Sequence, residues 1–276
     1  MTTTAKNETT QRVTTRLGDL HVRIAGTGPA TVLWPSMFVD SHTWDALLPL
    51  LPQDRRYVLV DGPGLGLSAA LTEVADIDGA AAAALDLLGG LGVDAPVDWV
   101  GNAFGGHVGY KLGAMPGVLR SLVSISAPAE PIPADLRRQI GLLKPLLRLV
   151  GPAGPVRTAI IGAMLTDRSA ADPVVRQVVL DSLRRPHRAS LSRALESFIL
   201  RRVDVTAGLA AIAVPCLYVA SDDRGDWSPE DAVRAARATP NATAVTVSGA
   251  RTLVPLEQPE AVAVLLRDFW DGLASS

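Results

Sequence analysis

Val97-Asp98-Trp99-Val100-Gly101-Asn102-Ala103-Phe104-Gly105-Gly106-His107 decides how the chain is read. An apolar strand enters a glycine-lined turn and leaves it as a helix. Glycines at 101, 105 and 106 let strand and helix approach closely, and a sharp junction of this kind lifts its apex residue above the end of a sheet. The apex here is Ala103.

Outward from this junction, short Val/Ile/Leu runs bounded by Gly or Pro alternate with longer helical patterns. Strands are expected near residues 13–17, 20–25, 31–34, 57–60, 97–100, 119–125, 216–220 and 244–247. Helices fit near 41–51, 74–91, 104–115, 229–238 and 259–270. The alternation predicts an α/β fold: about eight strands, mostly parallel, with helices on both faces. Gly18-Asp19 is hairpin chemistry, so the sheet is expected to start antiparallel. Residues 1–10 are polar and are expected to form a disordered tail.

Between residues 131 and 205 the strand signal gives way to apolar residues at helical spacing, punctuated by prolines. This predicts a helical cap inserted into a core formed by 1–130 and 206–276. The cap holds thirteen basic residues against six acidic ones. That balance fits a solvated helical surface facing an acidic core, or a field drawing anionic ligands to the cleft.

The whole chain has 276 residues and a net charge of -2, with 26 basic and 28 acidic side chains, which argues against a nucleic-acid clamp. One cysteine, Cys216, rules out an internal disulfide and a Cys-rich zinc site, and reads as a small apolar residue opening a strand. With no apolar run of signal-peptide or membrane-span length, a cytoplasmic protein with no membrane partner is expected. Nucleotide-phosphate and dinucleotide fingerprints are missing, and no cofactor or metal is expected. Asp222, Asp223 and Asp226 share one loop, but no histidine or further carboxylate flanks them at ligand spacing.

Five segments in order resemble the α/β-hydrolase superfamily: GTGPATVLWPSMFVDSHTW (26–44), VDGPGLGLS (60–68), GNAFGGH (101–107), PCLYVASDDRGDWSPED (215–231) and VSGARTLVPLEQPEAV (247–262). The resemblance implies a Ser-His-Asp site at the carboxyl ends of the strands, with two main-chain N–H groups as the oxyanion hole, which map to Met37 and Phe104. It also implies a triad degenerate at two positions. Ala103 stands in the nucleophile's place and Thr252 in the histidine's, while Pro35-Ser36 replaces the usual His-Gly and Leu65 a usual histidine. Asp223 matches the acid.

An alanine methyl cannot attack a carbonyl, and threonine takes no proton near pH 7. Asp223 then either stabilises its loop by pairing with Arg251 or acts as a general base of raised pKa. Among the four histidines, His21, His42 and His187 are not placed as obvious bases, whereas His107 follows Ala103 by one helical turn. Pocket walls are expected from Trp34, Ser36, Phe38, Asn102, Phe104, Trp227, Arg251 and Leu253, with Leu142, Leu146, Ile160, Ile161 and Met164 from the cap. The sequence-level expectation is a non-hydrolytic enzyme, of isomerase, cyclase or lyase type, acting on a small hydrophobic carbonyl compound. Asp223 or His107 would move the proton, and Met37 and Phe104 would hold the oxyanion. The alternatives are an ester or lactone hydrolase with an unconventional nucleophile such as Ser36 or water, and a non-catalytic small-molecule binding protein.

Overall fold

The computed structural model describes residues 8–93, 96–223 and 227–274; Asp226 and residues 1–7 lie outside them. Eight strands form one sheet: β1 Thr9–Thr15, β2 Gly18–Ala25, β3 Ala30–Trp34, β4 Arg56–Val60, β5 Val97–Asn102, β6 Leu119–Ile125, β7 Cys216–Ser221 and β8 Ala242–Val247. Their order is β1-β2-β4-β3-β5-β6-β7-β8. The β1/β2 and β2/β4 ladders are antiparallel and the rest are parallel.

Successive residues of a strand point to opposite faces. Val32, Trp99 and Leu122 enter one core, and their neighbours Leu33, Val100 and Val123 enter the other. Because both sets are apolar, both faces must be covered. Helices α1 (Ile77–Gly90) and α2 (Phe104–Gly113) pack on the first face. The second is closed by the 3-10 turns Ser41–Trp44 and Leu48–Leu50 and by the C-terminal helix over Pro259–Ala274.

Helices fill the chain between β6 and β7. They are α3 (Ala134–Val150), α4 (Gly154–Met164), α5 (Asp167–Ala171), α6 (Pro173–Arg184) and α7 (Arg188–Leu195), followed by a π-turn over Glu196–Leu200. Local chemistry sets several starts: Thr166 Oγ1 accepts from Ser169 N at 3.1 Å to cap α5, and Asp172 caps α6 with Pro173 at its first position. After β7 come α8 (Pro229–Arg237), with a Ser228/Asp231 capping box, α9 (Val254–Glu257) and α10 (Pro259–Ala274). Among the described residues no helix is long and apolar enough to cross a membrane.

Three local expectations are corrected. The helix over 41–51 is two separate 3-10 turns, because the buried Asp40 carboxylate ties down His42 N and Pro49 interrupts the continuation. The hairpin turn is Arg16-Leu17 rather than Gly18-Asp19: Thr15 pairs with Gly18, which leaves the turn at φ +94°. The strand starts at Thr9, within the stretch expected to be a disordered tail, because residues 9–15 pair with β2 in full register.

Candidate active site

At the end of β5 the chain turns through Ala103, at φ +46° and ψ -103°, and begins α2. Ala103 N donates to Ile125 O at 2.7 Å, which pins the apex to β6. Glycine is obligatory beside it. A Cβ on Gly101 would lie 2.2 Å from the Gly105 carbonyl, and one on Gly105 would lie 2.1 Å from Trp34 O.

Over the apex lies a cavity of about 300 Å³, bounded below by Ser36, Met37, Phe38, Ala103, Phe104 and His107. Its roof comes from the helical segment between β6 and β7, called the cap below, chiefly Ile140 and Leu147 of α3, Ile160 and Met164 of α4, and Phe198 of the π-turn. Among the described residues three non-glycines have positive φ: Phe38 (66°), Ala103 (46°) and Ser126 (48°). All three line this cavity. Strain of this kind persists where surrounding structure enforces it, and it collects at functional sites.

The N–H groups of Met37 and Phe104 meet no acceptor among the described residues. Phe104 is the first residue of α2, where a backbone N–H has no intrahelical partner and the helix dipole favours negative charge. Two open donors beside an apolar cavity can hold a carbonyl oxygen and hold it better as it gains charge.

Thr252 also borders the cavity, but its hydroxyl donates to Ala163 O at 3.1 Å. Asn102 faces away from it: its Nδ2 donates to Ile125 O (3.0 Å) and Thr252 O (2.8 Å), joining the elbow to the 252 loop. Trp34 lies beneath, buried between Trp99 (5.4 Å) and Phe104 (6.1 Å). Trp227 packs against Tyr218, and Leu253 is fully buried in the core. Arg251, 4% exposed, pairs with Asp223 Oδ2 at 3.0 Å and donates to the cap carbonyl of Gly162. Neither Arg251 nor Asp223 lines the cavity. In the cap, Leu142 points outward at 80% exposure, and Leu146 and Ile161 also lie outside the lining.

Of the histidines, His21 is held by the buried Asp61 at 3.0 Å and His42 by Asp40 at 2.8 Å, which also accepts from Arg185 of the cap. His187 Nδ1 accepts from Ala189 N at 3.3 Å at the start of α7. Only His107 among the four borders the cavity. Burial, reinforced by the charge of Arg202, pushes its pKa down to about 3. That makes it a weak proton acceptor. Burial also raises the Cys216 thiol to about 12, well away from reactive thiolate chemistry. Sequence reasoning missed Ser126, Phe198 and Arg202 as cavity residues; the Ser-Ala-Pro step ending β6 was the available signal for the first.

A family model described as Alpha/beta hydrolase family matches residues 31–265. A Stutzerimonas stutzeri (strain A1501) protein named "Putative carbamate hydrolase RutD" is 31% identical over 209 residues, covering 74% of this chain and 77% of that protein. Among solved structures, a thermophilic esterase from Thermogutta terrifontis superposes with a TM-score of 0.83 at 23% identity, covering 96% of this chain and 98% of that one. The enol-lactonase from Burkholderia xenovorans LB400 gives a TM-score of 0.85 at 20% identity, covering 95% and 100%. At these identities the structural likeness establishes the fold.

Proposed function

The chain belongs to the alpha/beta hydrolase family, and from that premise we propose that it hydrolyses small hydrophobic esters or lactones without an acyl-enzyme at the elbow. In this reading the triad is degenerate, with Ala103 in the nucleophile's place and Thr252 in the histidine's. The observation that carries the reading is an apolar cavity lined by Met37 and Phe104, whose N–H groups have no acceptor among the described residues.

Water is the nucleophile. Its oxygen adds to the carbonyl carbon, and the resulting oxyanion is held by the two N–H groups. Collapse breaks the bond to the leaving oxygen, which takes the attacking water's proton. Ser36 borders the cavity beside Met37. Its hydroxyl positions the water. Catalysis from binding and an oxyanion hole alone is worth about 10³–10⁴-fold over water when triad members are removed. The protein therefore acts slowly and on activated carbonyls, lactones and aryl esters above all.

The names of the relatives, a carbamate hydrolase, an esterase and an enol-lactonase, support hydrolysis over the isomerase, cyclase or lyase expected from sequence. Local chemistry agrees. Proton-transfer catalysis needs a base poised near the working pH, but Asp223 is engaged by Arg251 and His107 is pushed down to about 3. The lone cysteine fits a cytoplasmic setting.

A second reading, a binding protein with no turnover, draws on the same lack of a strong base. One experiment separates them: p-nitrophenyl butyrate and γ-lactones are incubated with wild type and with Ser36→Ala. Hydrolysis about 10³-fold or more above buffer, reduced by Ser36→Ala, supports the hydrolase. A saturable rise in Tm with no conversion supports the binding protein.

A further inference from the structure

His107 is a polar lining residue that the proposed reaction leaves unused. It sits one turn into α2, its backbone N–H bonded to Ala103 O at 3.0 Å, and the residue, 6% exposed, lines the cavity. Nε2 lies 3.0 Å from Pro128 O. A carbonyl only accepts, so Nε2 carries the proton and Nδ1 presents a lone pair. That Nδ1 is buried and has no hydrogen-bond partner among the described residues.

The hydroxyl groups of two other lining residues are already committed to the protein. Ser126 donates to Arg251 O at 3.3 Å, and Thr252 donates to Ala163 O. A buried acceptor left bare incurs its full desolvation penalty, whereas leucine or phenylalanine would fill the same space without it. An imidazole is therefore an expensive choice for an apolar wall unless something in the cavity donates to it.

Resting on the reading of the cavity as a site for hydrophobic carbonyl compounds, the geometry points to His107 Nδ1 as an acceptor subsite for a hydroxyl group on the ligand. The substrate class is then a hydroxylated hydrophobic ester or lactone. Phe104 and His107 stand three residues apart on one helix, about 4.5 Å along its axis. The carbonyl is thus held at the helix start and the hydroxyl one turn deeper. Because the ring stays neutral down to about pH 3, this acceptor does not switch off at ordinary pH. The Arg202 guanidinium, which also lines the cavity, opposes protonation of the ring.

Non-hydrolysable ketones test the subsite: 2-decanone against its 4-hydroxy, 7-hydroxy and 8-hydroxy derivatives, with Kd measured by calorimetry and Tm by thermal shift. At least one hydroxyketone is expected to bind wild type about 5–10-fold tighter than 2-decanone, the increment of one added hydrogen bond. His107→Leu erases that advantage, so that 2-decanone and the hydroxyketones bind the variant alike. His107→Gln, which keeps an acceptor, retains part of it. If 2-decanone binds and no hydroxyl adds affinity, or if the advantage survives His107→Leu, the subsite is overturned and the cavity reading stands. If no ketone binds at all, the cavity reading fails and takes the subsite with it. Should His107→Leu not fold, the wild-type ranking and His107→Gln decide the matter.

Discussion

The Arg251 guanidinium lies 3.0 Å from the Asp223 carboxylate and also grips the Gly162 carbonyl of α4. One buried cation thereby joins the loop after β7, the loop before α9 and the cap. Breaking a buried pair by deleting one partner costs about 3–5 kcal/mol, and less where the survivor reaches water. Asp223 is 27% exposed at its side chain. Arg251→Ala is therefore expected to lower stability by about 2–3 kcal/mol in urea denaturation. A loss below about 0.5 kcal/mol would mean that the pair holds nothing together.

The depressed pKa of His107 fixes a pH dependence. The unfolded chain protonates this histidine at about 6.5, whereas the folded one resists until about 3. Between those values the unfolded state holds one more proton, so stability falls as pH falls, by up to about 1.4 kcal/mol per pH unit. His107→Gln removes this contribution. The gap between wild type and variant should change steadily from pH 6 to pH 4 and stay constant above pH 7. A constant gap across the whole range contradicts the buried neutral imidazole.

Phe198 of the cap stacks on Phe104, whose N–H is one of the two open donors, with ring centroids 4.4 Å apart. It is the top of an aromatic column that runs down through Trp34 to Trp99. Phe198→Ala is expected to cost about 3–4 kcal/mol and to weaken binding of 2-decanone at least tenfold, since it opens both the core and the roof of the cavity. Retained affinity would show that the cap does not close the site.

Ala103→Ser puts a hydroxyl at the elbow, and under the proposed reading no base stands beside it. That variant should remain unreactive toward a fluorophosphonate probe, and adding Thr252→His should help little while Arg251 occupies Asp223. Only the further change Arg251→Ser frees the carboxylate to orient a histidine. Rapid labelling of Ala103→Ser alone would reveal a base that the assignment of these positions overlooks.

The central strands were legible because both faces of the sheet are covered there, so they read as continuous apolar runs, as in Val58-Leu59-Val60, whereas the exposed edge strand β1, TTQRVTT, does not. The elbow was legible because close backbone contact leaves room only for glycine at 101 and 105. The cap side of the cavity was not. On α3 the leucines occupy several phases around an internal Pro145, and pattern alone does not separate outward Leu142 from inward Leu147. Trp34 and Trp227 were expected in the walls because bulky aromatics near strand ends suit a pocket equally well as a core. The positive φ of Phe38 and Ser126 leaves no mark in residue type.

Intact-protein mass spectrometry during turnover of p-nitrophenyl butyrate speaks most directly to hydrolysis by water over a silent elbow. The expected spectrum shows wild-type mass throughout while p-nitrophenol accumulates. A butyryl adduct on any side chain of the chain would contradict it.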